Sequence, residues 1–159
     1  MAKLPFSIVD GVLVIPEANN SRYHWDGDFI ARDYPGLVSL GNLMTIGGNA
    51  DFSGSDVVDL GDLCWIGGNA NFSGSRIRHL RDLDRIVGDA DFAVSNVTDL
   101  GQLRWIGGNA SFRFCPLRSR GKLTLVSGKV DAEECPIDLH HLDRDLAKER
   151  DKFSWLVAS

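Results

Sequence analysis

The sequence predicts a mainly β, right-handed solenoid of about five to six coils, each twenty residues long, on three observations. The first is repetition: Gly41 to Ser55 reads GNLMTIGGNADFSGS, and Gly61 to Ser75 reads GDLCWIGGNANFSGS. The second is a set of apolar columns in the same register, with Leu43, Leu63, Leu83, Leu103 and Leu123 in one and Ile46, Ile66, Ile86, Ile106 and Val126 in another. The third is alternation, in which Ala50 and Phe52 are separated and flanked by polar Asn49, Asp51 and Ser53, as in a short strand with one face inward. A fixed short period means that no unit buries its apolar side without a neighbour, so the coils must stack.

Taken in order, the chain opens with Phe6 to Val9, Asp10-Gly11 and Val12 to Ile15. Asp-Gly supplies the positive φ angles of a tight hairpin turn, and a single bulged strand is the alternative. Either would cover the first coil, as residues 1–20 forming an N-terminal β cap. Pro16 to Arg22 is polar and reads as a connection. Residues 21–40 are a degraded unit: Ile30 matches Ala50, but Asp26 falls where Ile46 sits and Arg32 where Phe52 sits. An irregular first coil or a local insertion would account for this.

From Gly41 the register is clear, and Phe52, Phe72, Phe92 and Phe112 should stack down the interior. Strands of successive coils should pair in a parallel sheet about 4.8 Å apart. Gly48, Gly68, Gly88, Gly108 and Gly128 occupy every unit, which suggests a corner of positive φ before the strand. Their neighbours Gly47, Gly67 and Gly107 give way to Val87 and Ser127, so only the second glycine is obligatory. After Cys135-Pro136 the period breaks. Asp138 can cap a helix in which Leu139, Leu142, Leu146, Phe153 and Leu156 share helical spacing. That segment, 138–159, is expected to be a C-terminal helical cap, or else a partner-binding tail.

The unit Leu-x-x-Ile-x-Gly-Asn-Ala-x-Phe-x-x-Ser-x-Val-x-x-Leu resembles the leucine-rich repeat, nearest to the short-coil variety of receptor L domains, over residues 37–137. In that family an Asn or Cys ladder turns the chain after the strand; here the column holds Ser55, Ser75, Ser95, Cys115 and Cys135. Serine hydroxyls can bond the turn backbone, and cysteine fits the same slot. Alanine at 50, 70, 90 and 110, followed by phenylalanine, departs from the family and suggests a narrow coil without helices in the unit. The resemblance implies protein–protein interaction.

The 159 residues read as a single domain, with a repeat solenoid over 21–137. A net charge of −5 disfavours non-specific contact with nucleic acid or anionic membrane. No apolar run reaches the roughly 20 residues of a bilayer span, and the start lacks an adequate signal-peptide core. Three cysteines do not make a disulfide framework; Cys115 and Cys135, one coil apart, are close enough to pair in principle, but in a cytosolic protein they are expected as reduced, buried thiols. These features lead us to expect a soluble cytoplasmic protein, monomeric or homodimeric.

Solenoid function usually lies in outward columns, since the interior is committed to packing. One such column holds Trp25, Thr45, Trp65, Arg85, Trp105 and Leu125. Arg85 between two indoles suggests a cation–π sandwich, and the column reads equally as a partner-binding strip or a lateral shield. A second surface is the outer face of the strands, with Asp51, Asn71, Asp91, Ser111 and Asp131 beside Asn49, Asn69, Asp89, Asn109 and Lys129. Asp89 and Asp91 form an acidic spot for a basic partner, against a bland reading of stacked, solvated amides. A third is the basic cluster Arg76, Arg78, His79, Arg81 and Arg85, expected to make cross-coil ion pairs, with a phosphate or carboxylate dock as the rarer reading.

No nucleophile elbow, phosphate-binding glycine loop or calcium nonapeptide occurs, and the adjacent His140 and His141 cannot share a helix face as metal ligands. No catalytic residue, cofactor or metal is therefore assigned. The expected function is non-enzymatic recognition of a protein partner, as an adaptor or inhibitor, for example a phage or bacterial factor blocking a larger machine. The partner-binding residues would be Trp25, Trp65, Arg85, Trp105, Asp51, Asp89, Asp91 and Asp131. Glycan binding or hydrolysis, and acidic mimicry of nucleic acid against a basic protein, are the alternatives.

Overall fold

The computed structural model describes residues 7–14, 23–137 and 139. Strands β1 (Ser7–Val9) and β2 (Val12–Val14) pair antiparallel about Asp10 and Gly11. Both turn residues have positive φ, 51° and 81°, so the Asp-Gly hairpin expected from the sequence is formed. It docks on the solenoid through Gly11, whose carbonyl accepts from the amides of Val38 and Ser39.

Each coil then contributes two short strands. The first members are β3 (Tyr23–Trp25), β5 (Leu43–Ile46), β7 (Trp65–Ile66), β9 (Arg85–Ile86), β11 (Trp105–Ile106) and β13 (Leu125–Val126). The second members are β4 (Phe29–Ile30), β6 (Ala50–Asp51), β8 (Ala70–Asn71), β10 (Ala90–Asp91), β12 (Ala110–Ser111) and β14 (Val130–Asp131). They build two parallel six-stranded sheets, ordered β3-β5-β7-β9-β11-β13 and β4-β6-β8-β10-β12-β14. A third ladder of single bridges joins Val12, Ser39 and Asp59, and again His79, Asp99 and Ser119. The molecule is thus a parallel β-solenoid of about five regular coils at twenty-residue spacing.

Only the sheet through Ala50 was apparent from the sequence. The sheet through Trp65–Ile66 escaped that reading because four of its six strands, β7, β9, β11 and β13, are two residues long and lead straight into a glycine-bearing corner. Its signal was present in the outward Trp65 beside the inward Ile66.

The core is a column structure, as expected. Phe52, Phe72, Phe92 and Phe112 are fully buried, and their centroids are 5.2, 4.9 and 5.0 Å apart with nearly parallel planes. That spacing is the interstrand distance, so the rings inherit their stacking from the backbone ladder. The Leu and Ile columns are equally buried. In the turn after the strand, the Ser55 hydroxyl donates to the Phe52 carbonyl (2.8 Å), and Cys115 fills the equivalent slot with no exposure.

The first coil is irregular, for a definable reason. Its pairing slips by one residue between Tyr23 and His24, so that Phe29 lies over Ala50 and Ile30 over Asp51. The expected match of Ile30 with Ala50 is therefore corrected by one position. Buried Ala31 takes the place of Phe52 while Arg32 points to solvent, and a 3₁₀ turn (Ala31–Asp33) restores the register before Leu37. Trp25, Phe29 and Tyr34 close the N-terminal end of the phenylalanine stack, with Phe29 6.3 Å from Phe52. The expected helical cap over 138–159 lies outside the described residues, apart from Leu139, which is buried against the last coil.

The recurrent Gly48 column does not serve positive φ, contrary to expectation. In the regular coils left-handed backbone falls instead at Gly41, Gly61, Gly101 and Gly121, at Gly54 and Gly74, and at four side-chain-bearing residues, Arg81, Val94, Phe114 and Glu134. Glycine is required at 48, 68, 88, 108 and 128 for want of space. A Cβ on Gly88 would lie 2.2 Å from Asn69 Oδ1 and 2.9 Å from the Gly68 carbonyl, and its counterparts meet the same obstruction.

Candidate recognition surface

The outer face of the second sheet is an open trough of about 770 Å³ that runs from Asn49 to Asp131, with the alanines of β6, β8, β10 and β12 among its lining. Two columns of Asn and Asp bound it, and each has a defined structural task. In the column before the strand, the Oδ1 atoms of Asn49, Asn69, Asp89 and Asn109 accept from the amides of residues 69, 89, 109 and 129 (2.7–2.9 Å). Each side chain thereby ties its coil to the next. In the column on the strand, Oδ1 of Asp51, Asn71, Asp91 and Asp131 accepts from the amide two residues on, closing the turn within its own coil. The amides do not merely stack side by side, as the bland reading supposed; they bond backbone.

One Oδ1 per side chain is thus committed, and the second atom is available to face solvent. Charge in the trough is uneven as a result. The second oxygen of Asp51 receives Arg32 at 2.9 Å, and Asp131 lies 3.7 Å from Arg113. Asp89 and Asp91, in the middle of the trough, have no ion pair among the described residues. Uncompensated negative charge is concentrated there, between Asn69 and Asn71 on one side and Asn109 and Ser111 on the other.

The tryptophan column is less uniform than its spacing suggests. Thr45, Trp65, Arg85, Trp105 and Leu125 do lie over one another. Trp25 is drawn out of that register by the slip at Tyr23, so that His24 faces Thr45 and Trp25 pairs with Ile46. Its indole packs edge-on against Phe29, 5.1 Å away, and donates to the Asp28 carbonyl (2.8 Å).

Trp65 and Trp105 are half-buried because each indole folds over its own corner. A Cβ on Gly67 would come within 2.8 Å of the Trp65 ring, and one on Gly107 within 2.9 Å of the Trp105 ring. Trp105 also donates from Nε1 to Ser127 Oγ at 2.9 Å. The sequence carries this signal in its pairing of residues two apart: tryptophan with glycine at 25/27, 65/67 and 105/107, but Arg85 with Val87 and Leu125 with Ser127. The cation–π sandwich is not formed. Among the described residues no ring contact includes Arg85, whose Nε points to Asp84 (3.3 Å).

Of the remaining candidates, the basic cluster makes the expected cross-coil pairs at Arg81–Asp59 (2.7 Å) and, loosely, at Arg76–Asp56 (3.9 Å). Burial would push the Asp59 carboxyl up, but the Gly61 amide and the Arg81 guanidinium outweigh it and hold it low. Arg104 on Asp84, at Nη2–Oδ2 3.0 Å, lowers that carboxyl too. Cys115 and Cys135 are free thiols; Cys115 is buried as expected, which pushes it up to about 11, whereas Cys135 at the end of the column is only partly buried. No cluster of three or more His, Cys, Asp or Glu able to hold a metal occurs among the described residues, and no helix among them is long and apolar enough to cross a membrane. Comparison with protein-family models, with curated proteins and with solved structures returns no match.

Proposed function

We propose that the protein is a non-enzymatic recognition module of the leucine-rich-repeat-like, short-coil kind, acting in the cytoplasm as an adaptor or inhibitor of a protein partner. The observation that carries this reading is the trough with its unpaired Asp89 and Asp91. The trough is open and long, its shape is held by backbone-tied side chains, and it carries a local charge that no described residue neutralises. A rigid face of this kind suits a partner segment rich in Lys, Arg or amide donors, since little side-chain entropy remains to be lost on binding. Trp65 and Trp105 stand across the Gly-Gly corner from the trough and would extend the contact with half-exposed aromatic surface.

Asparagine already performs the structural task of Asp89 and Asp91 in neighbouring coils. Asp89→Asn with Asp91→Asn therefore removes charge while keeping both backbone bonds. Affinity capture from cell extract with wild-type and variant baits, quantified by mass spectrometry, tests the reading. A protein captured by wild type in a salt-sensitive way and lost with the variant supports it; identical capture by both overturns it. Mimicry of nucleic acid fits less well. Asp51, Asp91 and Asp131 recur every second coil, about 9.6 Å apart, whereas duplex phosphates advance about 3.4 Å per residue of each strand.

A further inference from the structure

Among the described residues the third ladder is continuous from coil to coil except at one junction. The amides of Val58, Thr98 and Arg118 donate to the carbonyls of Val38, Arg78 and Thr98, one coil earlier, at 2.9, 2.9 and 2.8 Å. The amide of Arg78 should by register donate to Val58, and it has no partner among the described residues. The same break recurs a few residues on. Asp62, Gln102 and Lys122 each bond the preceding coil at Gly41, Arg81 and Gly101, and Asp82 does not reach Gly61.

Two departures from the repeat coincide with the opening. At Ser39, Asp59, Asp99 and Ser119 a side-chain oxygen accepts from the amide two residues on, at 2.8–3.2 Å. His79 stands in that column and offers no oxygen. The residue two further on is glycine in those four coils, with φ of 56–59°, whereas Arg81 adopts φ 52° with a full side chain. Left-handed backbone is disfavoured for any residue with a Cβ, so at this position the coil retains strain that the other four relieve with glycine.

The gap opens into a depression of about 520 Å³ lined by Val58, Arg76, Arg78, His79 and Asn96. Arg78 and His79 make no ion pair with an acid among the described residues, and Arg76 has only the 3.9 Å contact with Asp56. Arg81 neutralises the nearby Asp59. Guanidinium groups, an amide side chain, an imidazole and an unpaired peptide N–H thus surround one hollow on a chain whose net charge is −5.

We infer that this depression, at the junction of the first and second regular coils, binds a phosphate group, gripped by Arg76 and Arg78 and by the peptide N–H of Arg78. Guanidinium forks match phosphate oxygens in pairs, and an unpaired backbone N–H is a fixed donor that costs nothing further to expose. The site lies on a different side of the coil from the acidic trough and stands independently of the partner proposed there.

The test titrates inorganic phosphate, and separately a phosphoserine peptide, into ¹⁵N-labelled full-length protein at low, constant ionic strength. Saturable shifts of the Arg78 and His79 amides are expected, with Arg78→Ala weakening binding about tenfold and Arg104→Ala, on another face, leaving it unchanged. Equal affinity for the two probes identifies the phosphate group alone as the ligand, and tighter peptide binding identifies protein-borne phosphate. The double variant His79→Asp with Arg81→Gly restores the repeat consensus; it is expected to melt no lower than wild type and to lose phosphate binding. No saturable shift in wild type, or undiminished binding in both Arg78→Ala and the consensus variant, overturns the proposal.

Discussion

Replacing Gly88 with alanine gives the sharpest test of how the coils are spaced. The φ of Gly88 lies outside the left-handed region, so backbone conformation raises no objection to alanine. Space does: the new methyl would sit 2.2 Å from Asn69 Oδ1 and 2.9 Å from the Gly68 carbonyl. Asn69 can swing away only by giving up its 2.8 Å bond to the Asp89 amide, and the Gly68 backbone cannot swing at all. Losing the bond costs about 0.5–1.5 kcal/mol, and the backbone shift brings the total to roughly 1–3 kcal/mol. For a chain of this length that lowers Tm by about 2–4 °C per kcal/mol. Asn69→Ala removes the same hydrogen bond by itself, so the double variant should be less destabilised than the sum of the singles by about 1 kcal/mol. Gly47→Ala is the control, since its Cβ meets nothing nearer than 3.4 Å. Urea denaturation of the four variants gives the comparison. A neutral Gly88→Ala, or strict additivity with Asn69→Ala, would refute the argument from crowding.

Other consequences follow from the same geometry. Phe92→Ala removes the central ring of the stack, buried between neighbours at 4.9 and 5.0 Å, and should cost about 3–5 kcal/mol in urea denaturation. Val94→Gly relieves a β-branched residue at φ 55° whose side chain is largely exposed, so it should raise stability by up to about 1 kcal/mol in the same assay. The Asp84 carboxyl is held below its unfolded value by Arg104, so its contribution is present at neutral pH and lost as pH falls through the folded pKa. Wild type should accordingly lose more of its thermal stability on acidification below about pH 4 than Arg104→Ala does. Cys115, buried and raised to about 11, should resist alkylation by iodoacetamide at pH 8 in the native protein and react once unfolded.

The solenoid and its interior were legible in the sequence because twenty-residue identity places like residues over like. Phe52 to Phe112 could go nowhere but into a common column. What the sequence concealed were features that depend on neighbours one coil away. Gly88 looks like a turn glycine until Asn69 is seen bonding over it, and Trp65 looks exposed until Gly67 is seen making room for its ring. Arg85 between two tryptophans suggested a sandwich, but the adjacent Asp84 holds the guanidinium. At the first coil, one residue of slip at Tyr23 was enough to move Trp25 from the outward column into the aromatic end-cap. His79 and Arg81 read as ordinary basic residues, and only the hydrogen bonds made by the other coils mark them as departures.

The stacking of the coils is tested most directly by ring-to-ring nuclear Overhauser contacts among selectively labelled phenylalanines. Contacts of Phe72 with Phe92 and of Phe92 with Phe112 are expected, with none between Phe72 and Phe112, two coils apart. Absence of the neighbouring contacts, or a direct one from Phe72 to Phe112, would contradict the twenty-residue stack and every surface column derived from it.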